Sequence, residues 1–163
     1  VEGAFGSGLV SGGFVLNNEL TDFDFVPVVD GIAVANRVEP GKRPRSSMNP
    51  TLVFDRETGE LVISGGSPGG ALIIHYTTKL LYATLNWGLA PQPAIELPNF
   101  GSLNGPTLLE EGRFAPSFID ALRTRGHEVK EVGMSSGLQA IAKDRDGYTG
   151  GADPRREGRV LGE

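Results

Sequence analysis

Leu61-Val62-Ile63-Ser64-Gly65-Gly66-Ser67-Pro68-Gly69-Gly70-Ala71-Leu72-Ile73-Ile74-His75-Tyr76 is the stretch whose reading decides the fold. Leu61–Ser64 is a short apolar run of the kind that forms a strand, and the residues from Ile73 onward switch to helical spacing. The glycine-rich turn between them is therefore a strand-to-helix junction. Ser67 suits the N-cap and Pro68 the first helical position, which leaves Gly69 and Gly70 to present two unhindered N–H groups at the positive end of the helix dipole. Such a pair can hold a carboxylate, a phosphate or a developing oxyanion, although the same four residues would also serve merely to start a buried helix. No Gly-Lys-Ser/Thr follows, which excludes a P-loop, and the glycine spacing is not that of a dinucleotide fingerprint.

Working outward, Thr51-Leu52-Val53-Phe54 pairs naturally with Leu61–Ser64 across the turn-rich Asp55-Arg56-Glu57-Thr58-Gly59, giving a hairpin expected to be buried on both faces. Beyond the glycine turn, Ile73, Tyr76, Leu80, Ala83 and Trp87 define a helical face, widened by Ile74, Leu81 and Leu85 and stopped at Gly88. A second helix is predicted over Pro116–Arg125, with Phe118, Ile119 and Leu122 inward and Gly126 at its C-terminal cap. His127–Val132 and Leu138–Lys143 read as strands. The second turns through Asp144-Arg145-Asp146-Gly147 into Tyr148–Ala152 as another hairpin. On the N-terminal side, Gly8–Leu16 reads as one or two extended segments, and residues 24–45 read as mostly irregular. This order predicts a layered sheet-and-helix α/β (α+β) domain with antiparallel pairing, one domain over residues 1–163.

Composition narrows the function classes. A chain of 163 residues with 39% hydrophobic residues can fill one core. A net charge of −5, no long basic run and few aromatics leave nucleic acid little to bind. The absence of cysteine excludes disulfides, thiolate zinc sites and a cysteine nucleophile. The apolar run near residues 71–74 is far shorter than the roughly twenty residues of a membrane span. No initiator Met or targeting segment stands at Val1, so the start reads as a processing boundary with further chain before it.

A second polar stretch, Gly41-Lys42-Arg43-Pro44-Arg45-Ser46-Ser47-Met48-Asn49-Pro50, places adjacent hydroxyls beside fixed cations. Ser46 and Ser47 can donate to a substrate carboxylate, with Arg43 or Arg45 adding a planar charged donor. Glu19 and Asp22, three apart in the loop Asn17-Asn18-Glu19-Leu20-Thr21-Asp22, can together grip an ammonium group. A carboxylate site and an ammonium site amount to an amino-acid recognition pocket. The bland alternatives are a solvated polar loop and ordinary turn chemistry. His75 and His127 lack metal-ligand partners at a recognisable spacing, and Asp144–Gly147 lacks the other ligands of a calcium loop. Asp153-Pro154-Arg155-Arg156 reads by default as a structural ion-pairing turn.

Taken together, Phe5-Gly6-Ser7-Gly8, Leu16-Asn17-Asn18-Glu19-Leu20-Thr21-Asp22-Phe23, Arg43-Pro44-Arg45-Ser46-Ser47-Met48, Gly66-Ser67-Pro68-Gly69-Gly70 and Asp153-Pro154-Arg155 resemble, in order and over almost the whole chain, the motifs of the gamma-glutamyltransferase small subunit. The resemblance implies an N-terminal-nucleophile hydrolase with a four-layer α/β/β/α sandwich, of which this chain supplies a part, made as a self-cleaving proenzyme. It implies that Glu19 and Asp22 bind the α-amino group of a gamma-glutamyl donor such as glutathione and that Ser46 and Ser47 bind its α-carboxylate. Gly69 and Gly70 would supply the oxyanion hole. The reaction implied is attack by a Thr hydroxyl on the gamma-amide, giving an acyl-enzyme that passes to water, an amino acid or a peptide, with no cofactor. A periplasmic or extracellular location follows from the same resemblance.

The chain also departs from the family pattern. Its nucleophilic Thr is expected before Val1, so the chain alone is expected to be inactive and to need the large subunit, which would add an Arg to the carboxylate site. Glu2 stands where many members carry Asn, although relatives of the cephalosporin-acylase-like branch resemble this chain there. The segment Phe23–Pro44 has no Tyr and is short for a lid, which predicts an open site. The rival readings are a sibling amidase acting on cephalosporin or glutaryl side chains and a non-catalytic amino-acid-binding module. Apolar edges left uncovered would favour self-association.

Overall fold

The computed structural model describes residues 8–162, so Glu2 and the Phe5-Gly6-Ser7 part of the first motif lie outside the described residues. Backbone contacts divide the chain into two compact units, Val1–Ser47 and Met48–Glu163.

The first unit is built from turns. Strands β1 (Val10–Ser11) and β2 (Phe14–Val15) form a minimal antiparallel hairpin around Gly12 and Gly13, both at positive φ. A 3-10 turn spans Glu19–Asp22. The segment read as irregular contains a second small antiparallel hairpin, β3 (Val28–Val29) and β4 (Ile32–Ala33), reversed at Asp30 and Gly31 with φ of 51° and 77°. Two-residue strands carry no periodicity, which is why the sequence does not announce them. Phe23 is buried, whereas Phe14, Phe25 and Ile32 are exposed.

The second unit holds the core. Strands β5 (Thr51–Phe54) and β6 (Leu61–Gly66) form the expected hairpin, closed by Asp55, whose Oδ1 accepts from Glu57 N–H, Thr58 N–H and Thr58 Oγ1. After β6 come a 3-10 turn at Gly70–Leu72 and helices α1 (Ile73–Leu85) and α2 (Pro91–Glu96). Next are β7 (Phe100–Gly101), β8 (Thr107–Glu110), α3 (Pro116–Thr124) and β9 (Val129–Val132). The unit ends in β10 (Gln139–Lys143) and β11 (Tyr148–Ala152). One sheet has the order β11-β10-β6-β5, all antiparallel, and a second has the order β7-β8-β9. In the second sheet β8 and β9 run parallel, as a connection through a helix permits, so the pairing is not antiparallel throughout.

Helix α1 buries Ile73, Tyr76, Leu80 and Ala83 as its spacing predicts. A Cβ at Gly65 would sit 3.1 Å from Leu80, so β6 has a glycine where the helix approaches. Helix α2 lies as close to β11: Gln92 Oε1 accepts Ala152 N–H at 2.9 Å, and a Cβ at Gly151 would meet Gln92 N at 2.7 Å. These contacts join Ala94, Ile95, Met134, Leu138 and Ala140 into one core.

Three expectations change. The β5–β6 hairpin is not buried on both faces, because Leu52, Phe54 and Leu61 are exposed while Ile63 faces the core. Ile74, Leu85 and Trp87 are exposed, the helix ending at Leu85 with Trp87 stacked edge-on against Tyr82 at 5.3 Å. Phe118 is half-exposed and stacks on Phe114, leaving Ile119 as the buried contact of α3. Gly126, by contrast, takes its expected place after α3, at φ 90°.

Candidate functional site

The glycine turn joins β6 to α1, but not as Ser67 and Pro68 predict. No side chain caps α1, which starts only after the 3-10 turn, and Ser67 turns elsewhere: its Oγ donates to Pro68 O at 2.6 Å and accepts Gly137 N–H at 3.1 Å. Gly69 and Gly70 have φ of 140° and 57°, values that residues with a Cβ rarely adopt. A Cβ at Gly69 would fall 2.6 Å from Tyr76 Cε2, so glycine is required there twice over, by dihedral and by space. Among the described residues no hydrogen bond engages the N–H of either glycine. They sit one turn before the N-terminus of a 13-residue helix, an environment suited to negative charge.

Beneath this turn lies a buried polar network that the sequence only hints at. Asp153 Oδ2 accepts Ser136 Oγ at 2.5 Å and Leu138 N–H at 3.1 Å, and its Oδ1 accepts Arg155 N–H at 3.0 Å. Arg155 grips both oxygens of Glu110 at 2.6 and 2.8 Å and donates to Ile95 O and Leu97 O. Lys79 Nζ donates to Ile95 O at 3.0 Å, Leu97 O at 2.6 Å and Asn99 Oδ1 at 2.8 Å, and Asn99 Nδ2 donates to Ser136 Oγ at 2.8 Å. Asp153-Pro154-Arg155 is thus the ion-pairing turn expected, built into the core.

The electrostatics follow from this packing. Burial pushes the Asp153 and Glu110 carboxyls up, but the hydrogen bonds to Asp153 from Ser136 and backbone N–H groups, and to Glu110 from Arg155 and Asn99 N–H, outweigh it, so both lie below the usual carboxylate range. For Lys79 the balance falls the other way: burial first, then the Arg155 charge, outweigh the nearby Asp153 and Glu110 carboxylates and lower its ammonium to about 8. The clue to Lys79 in the sequence is a lysine between Tyr76 and Leu80 on an otherwise apolar face. Nothing local marks Asn99 or Ser136.

In the first unit, Glu19 and Asp22 open and close one 3-10 turn, which puts both carboxylates on a single short element. Ser46 and Ser47 follow in a segment without regular secondary structure. Asn36 brings the two stretches together: its Nδ2 donates to Asp22 O at 2.7 Å and its Oδ1 accepts Arg45 N–H at 2.8 Å. Arg37 and Lys42 both pair with Glu39, so two cations of this region are engaged locally. Asn36 is a residue the sequence reading missed, since an asparagine within an irregular stretch carries no pattern.

The weaker candidates resolve as structural. His75 Nε2 accepts Ser102 N–H at 3.2 Å, and His127 Nδ1 lies 3.1 Å from Thr107 Oγ1. Asp144 closes its hairpin by accepting Asp146 N–H, with Asp144 N–H donating to Gly147 O. Among the described residues no cluster of His, Cys, Asp and Glu could hold a metal, and no helix is long and apolar enough to cross a membrane. An apolar cavity of about 600 Å³ lies between α1, β8 and α3, lined by Tyr82, Trp87, Phe100 and Phe118 among others, and includes none of the candidate residues.

The solved structures that this sheet-and-helix architecture matches are N-terminal-nucleophile hydrolases, and this chain supplies a part of that fold. The gamma-glutamyltranspeptidase from Pseudomonas nitroreducens superposes with a TM-score of 0.81 at 27% identity, covering 98% of this chain and 88% of that one. The cephalosporin acylase from Bacillus halodurans matches with a TM-score of 0.76 at 27% identity, over 96% of this chain and 29% of that one. The chain belongs to the gamma-glutamyltranspeptidase family, whose model matches residues 1–163. The glutathione hydrolase proenzyme of Bacillus subtilis (strain 168) is 34% identical over 167 residues, 99% of this chain and 27% of the relative. The chain thus spans about a quarter of the length of the curated relatives it matches first.

Proposed function

We propose that residues 1–163 form one domain in the small-subunit part of a gamma-glutamyl transferase/hydrolase, which cleaves the gamma-glutamyl amide of glutathione or a related donor. Gly69 and Gly70 stabilise the oxyanion with their N–H groups. Glu19 and Asp22 take the donor's α-ammonium, and Ser46 and Ser47 its α-carboxylate. The nucleophile is a Thr outside this sequence, and a larger partner chain from the same proenzyme completes the enzyme, in keeping with the relatives' name of proenzyme. The acyl group then passes to water, an amino acid or a peptide. We place the enzyme outside the cytoplasm, as periplasmic or extracellular.

The observation that carries this reading is the Gly69–Gly70 turn, where positive φ and the Tyr76 ring exclude any side chain beside two uncommitted N–H groups. Removing one oxyanion donor typically costs roughly 10²–10³-fold in kcat, so a site of this kind is worth building into a fold.

The test is release of chromogenic amine from a gamma-glutamyl anilide by the complete gene product, with and without glycylglycine. Release should rise with the acceptor and collapse in a Ser46→Ala/Ser47→Ala variant. The likeness to a cephalosporin acylase supports one second reading, an amidase for side chains lacking the α-amine. A self-cleaved protein that ignores the anilide but hydrolyses a glutaryl amide would establish that alternative.

A further inference from the structure

The Gly69–Gly70 turn has no side-chain cap of its own, so something else must fix the direction of its two N–H groups. Among the described residues, Ser67 Oγ donates to Pro68 O and accepts the N–H of Gly137, 70 residues along the chain. At this contact Gly137 has no room for a side chain: a Cβ would meet Pro68 Cγ at 2.7 Å and Arg156 Cδ at 2.8 Å. Gly137 is itself held rigidly, because Ser136 Oγ and Leu138 N–H on either side of it both bond Asp153 Oδ2, and Asp153 N–H returns to Leu138 O at 2.9 Å. Ser136, Leu138 and Asp153 are fully buried. On the other side of the turn, Gly69 rests against the buried ring of Tyr76.

We propose that Ser67 and Gly137 form a clasp that positions the Gly69–Gly70 oxyanion turn, with Asp153 as its anchor. This rests on the reading of Gly69 and Gly70 given above. A hydrogen bond and a close ring contact act on the two residues immediately before the glycines. The buried carboxylate holds the segment that makes both contacts, so core packing is transmitted to the turn. Ser67 and Gly137 are positioning residues: neither needs to touch the donor. Loosening the clasp should therefore damage the transition state more than ground-state binding.

The experiment uses the complete, self-cleaved enzyme and a gamma-glutamyl anilide. Ser67→Ala, which removes the acceptor without adding volume, should lower kcat by about 10–100-fold, the size expected for a misplaced oxyanion donor, with donor KM nearly unchanged. Ser67→Thr, which keeps the hydroxyl, should recover most of that loss, and Gly137→Ala should reproduce it. Should Gly137→Ala fail to fold, the Ser67 pair decides the matter. An unchanged kcat in Ser67→Ala overturns the clasp, as does failure of that variant to mature, or a joint loss of kcat and melting temperature that Ser67→Thr does not restore. Absence of anilide release from the parent enzyme instead overturns the functional reading.

Discussion

Residues 8–47 and residues 48–162 both pair charges at the surface, but among the described residues the buried charged groups lie in the second. In the first region charged groups pair at or near the surface, as Glu39 does with Arg37 and Lys42, and Phe23 is the large apolar side chain that is buried. In the second, Glu110, Asp153, Arg155 and Lys79 are sunk among the core residues and satisfied by backbone and side chains. The difference suits the roles proposed. Groups that take up a charged substrate must stay hydrated and accessible until it arrives. Donors that stabilise a transient oxyanion need a fixed direction, and a buried network supplies it, since each of its members becomes costly once it loses a partner.

The sharpest way to break this contrast is to empty the buried network. Arg155→Ala leaves Asp153 and Glu110 as buried carboxylates without their counter-charge and should cost about 3–5 kcal/mol of stability, seen in chemical denaturation of the complete protein. A loss below about 1 kcal/mol, the range of surface pairs, would show that the network is hydrated after all.

A pH series gives a smaller and signed effect. Asp153 and Glu110 have folded values below their unfolded ones, so their stabilisation is present above about pH 4 and lost as the pH falls through the folded values. Melting temperature should therefore drop on acidification, and less steeply in Asp153→Asn. Lys79 gives a slope of the same sign in a separate, alkaline window, because its lowered value is a penalty at neutral pH that deprotonation relieves. With its folded value lowered to about 8, the unfolded chain binds more protons above that pH, so stability relative to Lys79→Met should rise between about pH 8 and 10. A flat difference over that range would mean that Lys79 is solvated.

The smallest effect belongs to the first region. Asn36→Ala removes the two bonds that tie Asp22 O to Arg45 N–H, each worth about 1 kcal/mol. Donor KM in the anilide assay should rise several-fold while the melting temperature falls by less than in Arg155→Ala. A fall in melting temperature as large as that of Arg155→Ala would erase the distinction between the two regions.

Much of this was legible in the chain. Helix α1 declared itself through Tyr76, Leu80 and Ala83, because a face thirteen residues long repeats its period several times. Helix α3 declared itself through Pro116 and Gly126, residues whose backbone preferences act locally. The stretch from Ala90 to Glu110 gave no such signal, and α2, β7 and β8 went unread, being short elements whose apolar residues serve a core assembled from elsewhere. The candidate residues Glu19, Asp22, Ser46, Ser47, Gly69 and Gly70 could be named because each motif is contiguous.

By itself, then, the sequence determined the family, the strand-to-helix glycine turn and the chemistry available on either side of it, since those depend on residue type and on spacings of a few positions. Only the tertiary structure decided what Ser67 does. Its hydroxyl could have capped the helix immediately after it, and local propensity favours that. It bonds Gly137 instead, because the buried Asp153 carboxylate fixes the 136–138 segment against Pro68, and a partner 70 residues away leaves no trace in local pattern.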